Sequence, residues 1–447
     1  MLTRLLCTLL MLYSYSHLSA QSRLSGYLDK GLQSNIALQQ LDFQLDAARY
    51  ALAEAKANRS VQLDFTPQYT LAAGGRTIDF PVGDLLNPVY SSLNELTASN
   101  AFPQVDNVNE LLNPHNFYDV KVRATYPLIN PNIDINSSIQ SMQRDLIRED
   151  IAIYKRELFE QITKAYFDVM SARQATTIYQ NAKLLIEESL RVNQSLYAND
   201  RVNRTVVARN EQDLLSINKD ITNAQLLAKN AAAYLNFLIN EPLDTPVNLD
   251  TLTGLPSMDI IATADVNQRE ELRKLTTAVQ LNEKLVELAS TYRKPELNAF
   301  VDVGLQDFDF NVDGGSPYVL GGVSLQLNLY DGGKGQERIK KERSLVQARI
   351  KELDNTRSLL ALDLFNTRNE LQQAVETYNT EKSRIKLYEK IYRDALSLYK
   401  NGKANYIALL EARNDLTNAR LDTSLALFQA WTKHAELIRA GAISFSY

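Results

Sequence analysis

The sequence predicts a mixed α and β membrane protein, with a β-barrel pooled from several copies of the chain and continued by long helical rods. Three observations carry this. Four segments alternate strictly between apolar and polar residues, two very long stretches read as amphipathic helix, and the whole pattern occurs twice.

The first alternating segment runs from Val61 to Leu71. Val61, Leu63, Phe65, Pro67, Tyr69 and Leu71 are apolar or Pro, and Gln62, Asp64, Thr66, Gln68 and Thr70 between them are polar. A period of two gives one wet and one oily face. The partner segment is 118–128, and a second hairpin pairs 297–305 with 319–329. Each run is about ten residues, the length a tilted strand needs to cross a bilayer. Four strands are too few to close, since the smallest closed barrels use about eight. An open edge cannot sit in hydrocarbon, where unpaired backbone groups find no water. Strands that span a membrane therefore require several chains per barrel. Val120, Val122, Tyr126, Val301, Val303, Leu325 and Leu327 are the candidates for the lipid-facing side.

Between the hairpins lie the rods. No Pro or Gly occurs from Ile133 to Tyr197 or from Gln336 to Asn401. Runs of roughly 65 residues extend close to 100 Å at about 1.5 Å per residue. Apolar residues recur in steps of three, four and seven through Leu353, Leu360, Leu364, Leu371, Val375 and Tyr378 to Tyr399. Ile151, Tyr154, Leu158, Ile162, Ala165 and Val169 repeat the rhythm in the earlier rod. Such a stripe stays on one side of a helix and seeks a packed partner.

The duplication is legible residue by residue. Ser195-Leu196-Tyr197, Asn199, Asn203, Asp213 and Leu214 return 202 positions later as Ser397-Leu398-Tyr399, Asn401, Asn405, Asp415 and Leu416. The chain accordingly divides into a leader, 1–20, a first repeat, 21–240, a linker, 241–268, and a second repeat, 269–447. Each repeat holds a helix, two strands, a long helix (about 132–198 and 334–400) and a shorter helix (about 203–239 and 403–440). The linker is irregular because Pro242, Pro246, Gly254 and Pro256 break it. The leader has Arg4, an apolar core from Leu5 to Leu12 and Leu18-Ser19-Ala20 before Gln21, as a secretory signal does. After it no apolar run reaches the roughly 18 residues of a membrane helix. Export together with ten-residue strands points to an outer membrane.

Composition narrows the function. The formal net charge is −5, so no electrostatic reason exists to expect nucleic acid. The single Cys, Cys7, lies in the leader, which leaves the rest without thiol chemistry. His17, His115 and His434 are isolated and fall in no metal-ligand spacing. Asp313-Gly314-Gly315 and Asp331-Gly332-Gly333 lack the Gly-Lys-Ser/Thr continuation of a phosphate loop and read as turns. Neither an enzyme nor a cofactor site is expected.

Leu327-Asn328-Leu329-Tyr330-Asp331-Gly332-Gly333 before a long helix resembles the strand-to-helix junction of the TolC-like outer membrane efflux protein family. Tyr399-Lys400-Asn401-Gly402, followed by Leu409-Leu410-Glu411-Ala412 and Asn418-Ala419, resembles its last turn between helices. The resemblance implies a homotrimer with a 12-strand outer membrane barrel, four strands per protomer, continuous with a periplasmic α-helical tunnel. It implies an exit duct for a tripartite efflux pump or type I secretion system, working with a periplasmic adaptor (membrane fusion) protein and an inner membrane transporter. It also implies a tunnel mouth narrowed by helix ends, with Tyr399 and Glu411 at matching positions and Asp200 at the first turn. The family's other acidic positions are Ala408 and Val206 here, and the first turn's Gly is Asp200. Asn199, Arg201, Arg204, Asn401, Gly402 and Lys403 at the two turns are candidates for meeting the adaptor. The long segment 72–117 is expected to cap or narrow the external mouth. The competing reading is a periplasmic or secreted coiled-coil scaffold, in which the apolar strand face would be covered by protein. A stand-alone porin fits poorly, because four strands and two rods are the wrong proportions.

Overall fold

In this computed structural model residues 23–443, except 253, are described, and the expected leader, 1–20, lies outside them. Eight α-helices and six strands follow in order among the described residues. They are α1 (Arg23–Ser34), α2 (Ile36–Ala57), β1 (Gln62–Thr70), β2 (Thr77–Phe80), α3 (Val82–Leu96), β3 (Val108–Leu111) and β4 (Phe117–Ile129). Then come α4 (Pro131–Ala198), α5 (Arg204–Leu238), α6 (Glu270–Ser290), β5 (Glu296–Phe308), β6 (Pro317–Gln326), α7 (Lys334–Lys400) and α8 (Tyr406–Ala440). None of these helices is long and apolar enough to cross a membrane.

Both hairpins form as the alternation predicts, and they join into one antiparallel sheet in the order β1-β4-β5-β6. β1 and β6 are its free edges. Phe65, Val122, Val303 and Val319 stand in one cross-strand row, as do Leu63, Ala124 and Val301. Leu63, Phe65, Val122, Val301, Val303 and Val319 therefore share a face, while Phe300 and Leu320 lie on the other. The sheet differs from the sequence reading at its end: β6 stops at Gln326, so Leu327 lies just past the strand.

The chain divides into two compact units. The sheet unit holds Ala51–Gln140 and Lys284–Glu342, and the helical unit holds the described parts of Met1–Tyr50 with Ser141–Glu283 and Arg343–Tyr447.

Within the helical unit, the stripe read from the sequence is the packed side. Leu158, Ile162, Ala165 and Val169 of α4 are essentially inaccessible, with Phe159 and Tyr166 beside them. They form one core with Leu24 and Leu28 of α1, Leu235 and Leu238 of α5 and Phe428 and Ile438 of α8. Every stripe position of α7 named above is buried or half-buried. The linker is irregular apart from two short 3₁₀ turns, Asp259–Thr263 and Val266–Gln268. Side chains pin it to the core. The Tyr166 hydroxyl donates to Asp250 Oδ2 at 2.9 Å and accepts from the Asp250 N–H at 2.7 Å. Asn236 donates to the carbonyls of Leu243 and Thr245, and the Trp431 indole donates to that of Gly254. A buried bidentate pair, Arg156 to Glu270 at 2.8 and 2.7 Å, joins α4 to α6.

Segment 72–117 is more ordered than the long loop its sequence suggests. It contains α3 and the small β2–β3 ribbon. Gly83 and Pro88 argue against a helix in sequence, yet α3 runs through both.

Candidate functional site

Two places gather the predicted residues: the turns joining the long helices, and the sheet.

The turns α4–α5 and α7–α8 are built alike. Asp200 and Gly402 both have the left-handed backbone, with φ of 55° and 71°. At the first turn the Asp200 N–H donates to Tyr197 O and the Arg201 N–H to Leu196 O. At the second the Gly402 N–H donates to Tyr399 O and the Lys403 N–H to Leu398 O. These paired bonds satisfy carbonyls left over at a helix end. The Asn199 and Asn401 side chains each donate to the carbonyl four residues back, at 2.7 and 2.8 Å. Asn203 and Asn405 then cap the next helices, accepting from the N–H of Val206 and Ala408. Asn199, Asp200, Arg201, Arg204, Asn401, Gly402 and Lys403 are all exposed, and so is Glu411. Tyr197 is 46% exposed although its counterpart Tyr399 is buried.

Behind the turns lies a buried polar network that sequence reading missed. The Tyr399 hydroxyl donates to Asn193 Oδ1. Asn193 Nδ2 donates to Asn210 Oδ1 at 2.9 Å, and Asn210 Nδ2 to the Ile186 carbonyl at 3.1 Å. Tyr406 lies 2.8 Å from Asn210 Oδ1 and 3.0 Å from Asp213 Oδ2, which also accepts from Arg413 at 3.0 Å. Asn193 and Asn210 are inaccessible, and Arg413 is 4% exposed. Leu409, Leu196 and Val206 pack beside the two tyrosines. Burial raises the Tyr399 hydroxyl above its ordinary range. Burial, reinforced by the Asp213 carboxylate, pushes Tyr406 up to about 12, so both remain neutral donors. The network therefore ties hairpin α4–α5 to hairpin α7–α8. Satisfied buried groups of this kind fix a unique arrangement, and breaking one leaves its partner unpaired at a cost of about 1–3 kcal/mol.

The signal was present as a departure from the duplication. At an offset of 202, Asn193 becomes Ala395, Asn210 becomes Ala412, Tyr406 becomes Arg204 and Arg413 becomes Glu211. The sequence correspondence thus breaks at four members of the network, two of which, Asn193 and Asn210, stand where the offset gives Ala.

In the sheet, Val122, Tyr126, Val301, Val303 and Leu325 are between 41% and 67% exposed, and Val120 is half-buried. Leu327, beyond the strand, is 46% exposed. The opposite face is cross-linked by charge. Arg123 makes two bonds to Asp302, at 2.7 and 2.6 Å, and lies 5.0 Å over the Phe300 ring. Asp119 accepts from Lys121 and, at 2.7 Å, from the Tyr318 hydroxyl. One face thus suits hydrocarbon and the other suits water. Among the described residues no His, Cys, Asp and Glu cluster is arranged to hold a metal ion.

Comparison with known proteins bears on this arrangement. Residues 266–441 match the outer membrane efflux protein family. The fold is that of VceC, an outer membrane protein of Vibrio cholerae, at a TM-score of 0.75 and 15% identity over 93% of this chain and 95% of that one. The CmeC outer membrane channel of Campylobacter jejuni matches at 0.73 and 16%, over 94% and 85%. The MtrE outer membrane channel of Neisseria gonorrhoeae, in its open state, matches at 0.72 and 16%, over 94% and 88%. No curated protein matches the chain by sequence.

Proposed function

We propose that this chain, carrying the outer membrane efflux protein pattern in residues 266–441, is one protomer of a homotrimeric export duct. Three copies pool their four-stranded sheets into a 12-strand barrel in the outer membrane. The long helices line a periplasmic tunnel, and the two halves of the chain act as structural repeats. The duct performs no chemistry. Substrates expelled by an inner membrane transporter pass through a periplasmic adaptor into the bore, in a tripartite efflux pump or a type I secretion system.

One observation carries this reading: a four-stranded sheet with two unpaired edges, one apolar exposed face and one charged face. In hydrocarbon the edges must find strands, and only other chains supply them. A soluble coiled-coil scaffold would cover Val122, Val301 and Val303, which stand 45%, 46% and 54% exposed. Asp119, Lys121, Arg123 and Asp302 then face the water-filled lumen.

The helix turns form the periplasmic mouth. Glu411 contributes a ring of three carboxylates there, with Asp200 and Tyr399 close to the turns. The Tyr399–Asn193–Asn210–Tyr406 network holds the two hairpins together in the closed mouth. Asn199, Arg201, Arg204, Asn401, Gly402 and Lys403 present the exposed tips to the adaptor. Adaptor contact biases an equilibrium between closed and open mouths.

The test is extraction and reconstitution. The protein should leave outer membranes only with detergent, migrate as a trimer and conduct ions in planar bilayers. A freely soluble monomer without conductance refutes the duct.

A further inference from the structure

Helix α3 is amphipathic the wrong way round. Its polar Asn residues face its own loop. Asn87 donates to the Val105 carbonyl at 3.0 Å and accepts from the Val105 N–H at 2.9 Å. Asn94 does the same with Phe102, at 2.8 and 3.1 Å. Asn107 bridges back to the N–H and side chain of Asp84. The strap lies so close that a Cβ on Gly83 would stand 2.4 Å from the Val105 carbonyl oxygen. Segment 99–107 is thus sewn to one side of the helix.

The apolar stripe is left outside. Val82, Leu85, Leu86, Val89 and Leu96 fall within an arc of about 100° at 100° per residue, beside the half-buried Leu93. Leu85 is 70% exposed, Val89 53% and Leu96 84%. A helix usually hides such a stripe in its own core; here the loop's hydrogen bonds are spent on the other side.

The loop's charge selects among possible covers. Segment 72–117 has one cation, Arg76, against Asp79, Asp84, Glu95, Asp106 and Glu110. A helix that lies on a membrane carries Lys and Arg on its polar side, because the lipid surface is anionic. This loop would be repelled. The acidic residues of α3 itself, Asp84 and Glu95, sit on the arc opposite the stripe. Equivalent stripes from identical chains can therefore converge on a common axis without bringing these carboxylates together.

The base of the loop is fixed. Tyr69 stacks on Phe310 with ring centres 4.9 Å apart, and Asn116 is bonded to both Tyr69 and Asp309. The loop also leaves β1 and enters β4 at the end of the sheet opposite α2 and α4.

We infer that the apolar stripe of α3 docks against the same stripe of the other copies of this chain, closing the outer end of the bore. This rests on the trimeric duct proposed above. In the duct, three such loops rise from one rim, so the contact continues the interface that the sheet edges require.

The test uses single cysteines in a Cys7→Ser background, in intact protein from outer membranes. Leu85→Cys and Leu96→Cys lie on the stripe, with Val89→Cys as a substitute if either fails to assemble. Ser91→Cys lies on the polar arc. Mild oxidation or a short bis-maleimide should join chains at the stripe positions and not at Ser91. The double variant Leu85→Ser, Leu96→Ser should raise single-channel conductance. A protein that stays trimeric on a native gel but gives no stripe-specific cross-link overturns the inference and leaves the duct standing. So does quenching of a stripe-bound fluorophore by nitroxide-labelled lipid, which would give the stripe to the membrane. Cross-links without a conductance change overturn the closure. A wild-type monomer overturns the duct, and this contact with it.

Discussion

At the scale of single residues, burial controls what can ionise. His434 is 9% exposed beside Trp431, and burial lowers its pKa from 6.5 to about 4. As pH falls, the unfolded chain takes up this proton before the folded one does. The stabilisation is complete above about pH 6.5 and is eroded as pH falls towards 4, by up to about 3 kcal/mol per chain. Urea midpoints at pH 7 and pH 5 should differ less in His434→Leu than in the wild type. Glu411 is exposed in the single chain, and its role depends on the assembled mouth. Glu411→Gln should reduce cation preference in planar bilayers, and an unchanged preference removes it from the constriction. Glu411 was legible only through the family resemblance of the residues around the last turn. The tie between the hairpins was not, because Tyr399, Tyr406 and Arg413 reach Asn193, Asn210 and Asp213 about 200 residues away in sequence.

At the scale of elements, the turns and strands follow local rules that single substitutions can probe. Nothing lies within 4 Å of a Cβ added to Gly402, so Gly402→Ala meets only the cost of φ 71°. That is about 1 kcal/mol. Asp200→Gly should go the other way by up to about 1 kcal/mol, since Asp200 holds φ 55° with a side chain. Thermal or urea unfolding reads both. On the sheet, Val303→Arg places a charge at the centre of the apolar face. It should cost about 2–4 kcal/mol in a bilayer, seen as a lower yield of inserted trimer, and far less in a soluble sheet. The strands were legible because alternation is local. Helix α3 was hidden because Pro88 and Gly83 are read as breakers. Tertiary bonds from Asn87 and Asn94 hold it regardless.

At the scale of the whole molecule, the unsatisfied features coincide. β1 and β6 leave their outer backbone groups unpaired, and the apolar sheet face has no cover among the described residues. If three chains close one barrel, β1 of one chain pairs with β6 of the next. Thr66→Cys combined with a cysteine scan along β6 should then link chains, with yield peaking at alternate positions because side chains alternate across a strand. A flat or empty profile in protein that still sediments as a trimer would argue for another interface.

The face shown by each strand of the main sheet and the packed stripe of each rod were already encoded in short-range pattern. Periods of 2 and 3.6 residues depend only on backbone geometry. The joining of the two hairpins into one sheet, the polar tie between distant helix turns and the outward stripe of α3 required the folded chain. Each depends on which residues meet across long stretches of sequence. A buried amide or hydroxyl stays in place only when its particular partner arrives there too.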